Sequence, residues 1–422
     1  MRLTAIEEGH LRNGLPGTIG IAALFPGGGA PFDLARVRSR VRERWGGLDR
    51  MSLVLAPPAG PAALRGHRWT PRPFDPVAHV TATDRPLHAL LADGVAHALP
   101  DDRPLWRLLV ARDATAAGEC AVVLLAHHAL LDGRSLDTLF RMLMDDAAPP
   151  RPPSPAAAVP PRPPVRLATV GRELRRIGAS GRPLPASAAG ERRPSVAVVP
   201  LDPQVMRQAR RQPAGGRGAT LNELLLSAYA GALRACHGPL SAWPAAGAPL
   251  FATVPVDLRE RRDGQRLGNG VTALRVPLPV DLDSPVARLR ACQEEVAGFE
   301  HRCAAHRAIL PPLLATARRL PWLADVMARR LARPELTTSL CTAFKWRDGA
   351  ARLHGRGLAR IVPLPQLAPP GTANLCLVHS ADTYTLTVVS HLRPADAESI
   401  GEAVAGQLAE LAACGAPAVR AG

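Results

Sequence analysis

Two adjacent histidines and an aspartate occupy the heptad His127-His128-Ala129-Leu130-Leu131-Asp132-Gly133. A neutral imidazole, with an ordinary pKa of about 6.5, can accept a proton from a hydroxyl or amine at neutral pH, and a positioned base of this kind contributes about 10²–10⁴-fold to a rate. The apolar run before the heptad, Ala121 to Ala126, predicts a buried strand, and Ser135 to Met144 after it predicts a helix. A strand-to-helix junction can aim one imidazole into a cavity while the aspartate turns back to brace the loop. Side chains alternate along a strand, so His127 is expected to point away from His128, as a buried, hydrogen-bonded residue. The two make a poor chelating pair for the same reason, and no convergent carboxylates accompany them, so no metal is expected.

The elements around the junction predict an α+β protein. Strands are expected at 19–25, 105–111 and 120–128, the last two as a hairpin, with an arginine-rich helix over 32–45. Nine of the sixteen residues from 149 to 164 are proline, which predicts a stiff, extended connector within a crossover over 147–195. It separates an N-terminal lobe, 1–146, from a C-terminal lobe, 196–422, each long enough to bury its own core. Thr220-Leu221-Asn222-Glu223 is a capping-box pattern ahead of a helix over 224–236. Strands at 251–258 and 271–278 follow, then helices at 284–301 and 304–332. Strands near 336–343 and 358–364, a hairpin over 374–390 and a last helix over 395–413 complete the chain.

A hydrophobic content of 47% fits a folded globular protein. The net charge of +16 rests almost entirely on arginine, Lys345 being the only lysine, a bias in keeping with a GC-rich coding sequence. With only seven Phe, six Trp and two Tyr to stack on bases, no nucleic-acid partner is expected. The basic surface suits coenzyme A phosphates, an acidic carrier protein, an anionic membrane surface or plain solvation. Seven cysteines without a C-x-x-C pair indicate neither a zinc site nor a disulfide framework. The absence of G-x-S-x-G argues against a serine hydrolase of that type. With no apolar leader and no run of 18 apolar residues, a cytoplasmic location is expected, peripheral membrane contact being left open.

The heptad resembles the active-site motif of thioester-dependent acyltransferases, the superfamily of condensation domains, chloramphenicol-acetyltransferase-like enzymes and wax ester synthase/diacylglycerol acyltransferases. Shorter blocks resemble the last branch: Pro104-Leu105-Trp106, Thr220 to Glu223, Val254 to Arg259, Leu267-Gly268-Asn269, and Val276 to Pro279. The resemblance implies two chloramphenicol-acetyltransferase-like lobes, each a mixed sheet with helices, and a tunnel between them. It implies a catalytic heptad of His127, His128 and Asp132 with His128 as the general base, supported by Gly133 and by Arg259 as the partner of Asp132. An aspartate so paired is too weak a base to compete with imidazole. Asn222 and Trp106 would fall among the substrate-binding residues, although Trp106 reads most simply as core.

No cofactor is implied beyond acyl-CoA as co-substrate, and the acceptor would be an alcohol or amine. A carrier-protein donor in ester or amide formation, and a catalytically silent binding relative, are the alternatives. Arg107 and Glu223 stand where the family blocks have glutamate and aspartate, and Thr337 to Thr342 lacks the N-V-P-G-P pattern. These departures leave acyl transfer standing and open the choice of substrates.

Overall fold

A computed structural model describes residues 1–422 apart from 29–30, 59, 61–65, 148–165, 186–191, 212–216, 244–246, 260–265, 347–350, 368, 394–395 and 415–422. The proline-rich connector at 149–164 lies outside the described residues.

The first part of the chain runs α1 (Ala5–Arg12), β1 (Thr18–Phe25), α2 (Leu34–Trp45), β2 (Leu53–Ala56), β3 (Arg68–Pro71) and α3 (Pro76–His79). It continues through β4 (Val80–Thr83), α4 (Leu87–Ala96), β5 (Trp106–Ala111), β6 (Cys120–His127) and α5 (Gly133–Leu143). The second part runs α6 (Leu167–Gly178), β7 (Ser195–Leu201), α7 (Pro203–Arg210), α8 (Leu221–His237), β8 (Phe251–Asp257), β9 (Val271–Pro277) and α9 (Pro285–Ala297). Then come α10 (Phe299–Arg319), α11 (Pro321–Leu331), β10 (Ser339–Trp346), β11 (Arg352–Leu353), β12 (Arg356–Gly357), β13 (Arg360–Leu364), β14 (Ala373–Ser380), β15 (Thr383–Ser390) and α12 (Asp396–Ala413).

Two mixed sheets organise this α+β fold, which has two lobes of the chloramphenicol-acetyltransferase type. One sheet has the order β13-β1-β6-β5-β4 and the other β7-β15-β14-β10-β8-β9. β1 and β6 are near-continuous apolar runs buried along all eight residues, as expected for strands covered on both faces. They pair antiparallel with Thr18 opposite His127, so the heptad begins where the ladder ends. The apolar stripe Leu136, Leu139, Phe140 and Leu143 on α5 has helical spacing and is buried against that sheet's core.

The sheets do not divide at one point in the chain. β13, from the second part, pairs antiparallel with β1 and closes the edge of the five-stranded sheet. A cluster including Leu91, Val123, Val362 and Val389, with Val196 and Val198 packed against it, makes one apolar body from elements of both sheets. The helix expected at 304–332 is two: α10 begins at Phe299, and the chain turns at Leu320, whose ψ of 82° lies outside the helical region and which precedes Pro321 in the first turn of α11. Proline restricts the residue before it away from the helical region, which explains the break.

Candidate active site

The heptad forms a tight turn from β6 into α5. The His128 amide donates to the Gly17 carbonyl at 2.7 Å, and the amides of Leu130 and Leu131 donate to the His127 carbonyl at 2.9 and 3.2 Å. Asp132 is the N-cap of α5 and is only 1% exposed. One carboxylate oxygen accepts from the Ser135 amide and hydroxyl, each at 2.8 Å; the other accepts from Arg259 Nη2 at 2.8 Å and the Gly270 amide at 3.0 Å. Four donors saturate this carboxylate, a buried charge held in the manner burial requires. Arg259 lies across the loop 266–270, reaching the carbonyls of Arg266 and Gly268 as well as Asp257. A Cβ on Gly270 would meet the Arg259 side chain at 2.7 Å, so glycine lets the guanidinium approach this closely. Gly133 carries no comparable demand. A Cβ there would meet no atom within 4 Å and its φ is not positive.

The same loop orients His128. Asn269 donates through Nδ2 to the carbonyls of His128 and Ala129, at 2.9 and 3.1 Å. That leaves its Oδ1 facing His128 Nδ1 at 3.2 Å. An amide oxygen can only accept, so Nδ1 carries the proton and Nε2 of the neutral ring is the basic nitrogen. Burial holds the His128 pKa below its ordinary value, against the opposing pull of its own backbone carbonyl, Asp132 and Asn269.

A second imidazole stacks on the first. His10 of α1 lies 4.0 Å from His128 between ring centroids, with the planes 8° apart, and its side chain is hydrogen-bonded to Gln366. Burial, then the like-charge pressure of His128 and His127, holds His10 well below the usual imidazole range. α1 is tied to the same turn through Arg50, which pairs with Glu7 and donates to the carbonyls of Leu130 and Ala129 at 2.8 and 3.1 Å. His127 is buried, and its Nδ1 accepts from the Ala129 amide at 3.0 Å; burial and the neighbouring His128 push its pKa down to about 4. Gly17, at φ +69°, runs so close to that ring that an added Cβ would stand 2.4 Å from Nε2.

The stack makes a pH prediction. His10→Ala uncovers His128 and relieves the burial that depresses it, so the base returns toward its ordinary pKa and the acidic limb of the rate profile moves to higher pH. His10→Phe keeps the ring and the burial and is expected to move that limb less. The kcat/KM–pH profiles of both variants check this.

The structure thus brings together His128, Asp132 and Arg259, with His127 on the turn beside them. It does not bring Trp106 to His128: this side chain is buried in the core, stacked edge-on with Trp45 and Phe74, and its N–H donates to the Met51 carbonyl at 2.9 Å. Asn222 lies half-buried in the first turn of α8, where Glu223 completes the capping box and pairs with Arg217 at 2.5 Å. Arg107 pairs with Asp93 at 3.5 Å. His10, Arg50, Ser135 and the orienting role of Asn269 were not read from the sequence. Thr4-Ala5-Ile6-Glu7, a capping box, was the available signal for α1.

Comparison with known proteins bears on family and fold. A 100-residue segment is 34% identical to a Mycobacterium tuberculosis protein provisionally named a diacylglycerol O-acyltransferase, covering 23% of this chain and 19% of that protein. An 85-residue segment is 44% identical to a similarly named Mycobacterium bovis protein, covering 19% and 16%. The matched segments therefore span less than a fifth of the length of these curated relatives. The fold is similar to that of the wax ester synthase/diacylglycerol acyltransferase from Marinobacter aquaeolei VT8, with a TM-score of 0.61 at 17% identity over 97% of this chain and 98% of that one. It is also similar to the first condensation domain of the calcium-dependent antibiotic synthetase, with a TM-score of 0.65 at 17% identity over 98% and 97% of the two chains. The family model of the wax ester synthase/diacylglycerol acyltransferase catalytic domain matches residues 23–297, more than half of the chain, and the chain belongs to that family.

Proposed function

We propose that this chain is an O-acyltransferase that moves an acyl group from an acyl-CoA thioester to an acceptor hydroxyl. The observation that carries the reading is Asn269 Oδ1 at 3.2 Å from His128 Nδ1, with the amide oriented by its bond to the His128 carbonyl; this places the ring proton on Nδ1 and makes Nε2 the basic nitrogen. Nε2 takes the acceptor's proton as the hydroxyl oxygen attacks the thioester carbonyl. The tetrahedral intermediate collapses with cleavage of the C–S bond, and the imidazolium returns its proton to the departing thiolate. A thioester is already activated, so no acyl-enzyme is required. Asp132 takes no part in the proton transfer; its charge is spent on Arg259, Ser135 and Gly270, and it holds the turn that presents the base.

The donor and acceptor classes are tested together by offering the full chain a mixed acyl-CoA pool, or the same acyl groups on a carrier protein, with candidate alcohols and amines. Mass spectrometry is expected to find esters formed from acyl-CoA. Products from the carrier-bound acyl groups alone would replace the donor, amides would replace the acceptor, and no product with any pair would leave a binding protein.

A further inference from the structure

A transfer reaction at His128 needs the far end of its thioester held, and the surface beyond α1 offers a place. A cleft of about 270 Å³ is lined by Arg2, Arg12, Arg68 of β3, and Arg318 and Arg319 at the end of α10. Among the described residues that line it, Glu8 alone is acidic, and it is engaged by Arg12 at 2.8 Å and by His67 at 3.0 Å. Among the described residues, no carboxylate pairs with Arg2, Arg68, Arg318 or Arg319, whereas Arg40, Arg50, Arg141, Arg259 and Arg302 all have such partners. Five guanidiniums from three separate stretches of chain therefore face one concavity whose described lining holds a single carboxylate. Guanidinium is the side chain best matched to phosphate oxygens, through paired N–H donors at fixed spacing.

The cleft is also in the right place. Ala5, Glu8 and Arg12 line it from one face of α1, at helical spacing. His10, two residues from Glu8 and so on the opposite face, stacks on His128. One helix, with a diameter of about 10 Å, is the wall between the arginines and the base. A donor whose reactive carbonyl is at His128 would need to carry its anionic groups about that far away, on a flexible arm.

We propose that this cleft binds the phosphates of the donor, specifically the phosphorylated adenosine end of coenzyme A. The inference rests on the acyl-CoA reading above and assigns the nucleotide's site within it.

The test separates the two. Adenosine 3′,5′-bisphosphate, which carries no thioester, is titrated calorimetrically into the full chain and into the double variant Arg318→Gln, Arg319→Gln. Both arginines are exposed, and the fold of the variant is checked by circular dichroism. Binding is expected to weaken about tenfold or more in the variant and to fall with added salt. In parallel, the variant's KM for acyl-CoA is expected to rise by a similar factor, with kcat unchanged and with an acyl-N-acetylcysteamine donor, which has no phosphate, used equally by both proteins. Equal bisphosphate affinity in the two proteins, or an equal KM for acyl-CoA, would overturn the assignment. So would arginine-dependent binding of phosphatidylglycerol vesicles that the bisphosphate does not displace, which would make the ligand a lipid headgroup. If neither donor reacts but the bisphosphate still binds through Arg318 and Arg319, the phosphate site stands and the proposed reaction falls.

Discussion

His128→Ala is expected to lower the turnover of acyl transfer by about 10²–10⁴-fold, the range for loss of a positioned general base. The ring is half-buried and fixed by a side-chain contact at Nδ1, a backbone bond to Gly17 and the stack on His10, so its loss removes a base already aimed. KM is expected to change far less than kcat, because the proton transfer belongs to the transition state and not to donor binding. Asn269→Ala separates orientation from basicity. It keeps the imidazole but releases the tautomer, and its rate should lie between those of the wild type and His128→Ala.

Asp132→Ala is expected to cost about 3–5 kcal/mol of folding stability, read as a lowered midpoint in denaturant unfolding. The deletion leaves Arg259 without its principal partner at a site 6% exposed, and deprives the Gly270 amide, the Ser135 amide and the Ser135 hydroxyl of their acceptor. Activity should fall as well, since this carboxylate is one of the ties, beside Asn269, that hold the turn carrying His128 to the 268–270 loop. Arg259→Lys is expected to be poorly tolerated for a related reason. A single ammonium cannot reach Asp132, Asp257 and the carbonyls of Arg266 and Gly268 together as the planar guanidinium does.

What was legible in the sequence was whatever local chemistry dictates. A β-run ending at two histidines, followed by an aspartate at a helix start, places a base and a cap at the same junction without further information. The capping box of α8, the apolar runs of β1 and β6 and the hairpin of β14 and β15 have the same local character. The Asp132–Arg259 contact came from family resemblance, which supplied a pairing across 127 residues that no periodicity contains.

The missing parts are those that depend on distant packing. Asn269 lies 141 residues from His128, and its role follows from two carbonyls that fix which way its amide faces. His10 sits on an eight-residue helix whose position is set by the Glu7–Arg50 pair. The membership of β13 in the first sheet is likewise a matter of which edge is left unpaired, since its own five residues would suit either sheet. Trp106 shows the opposite case, in which a block matched by resemblance turns out to serve packing at that position.

The central claim is direct transfer with His128 as base and no covalent intermediate, and it is tested most directly by mixing the enzyme with acyl-CoA in the absence of any acceptor. Thiol release is followed in the first turnover and the intact protein is weighed afterwards. The account expects no burst of thiol and no acylated protein until an alcohol is added, whereupon thiol and ester appear together in the wild type and are largely lost in His128→Ala. A stoichiometric burst with an acyl group on the protein, or full transfer by His128→Ala, would contradict it.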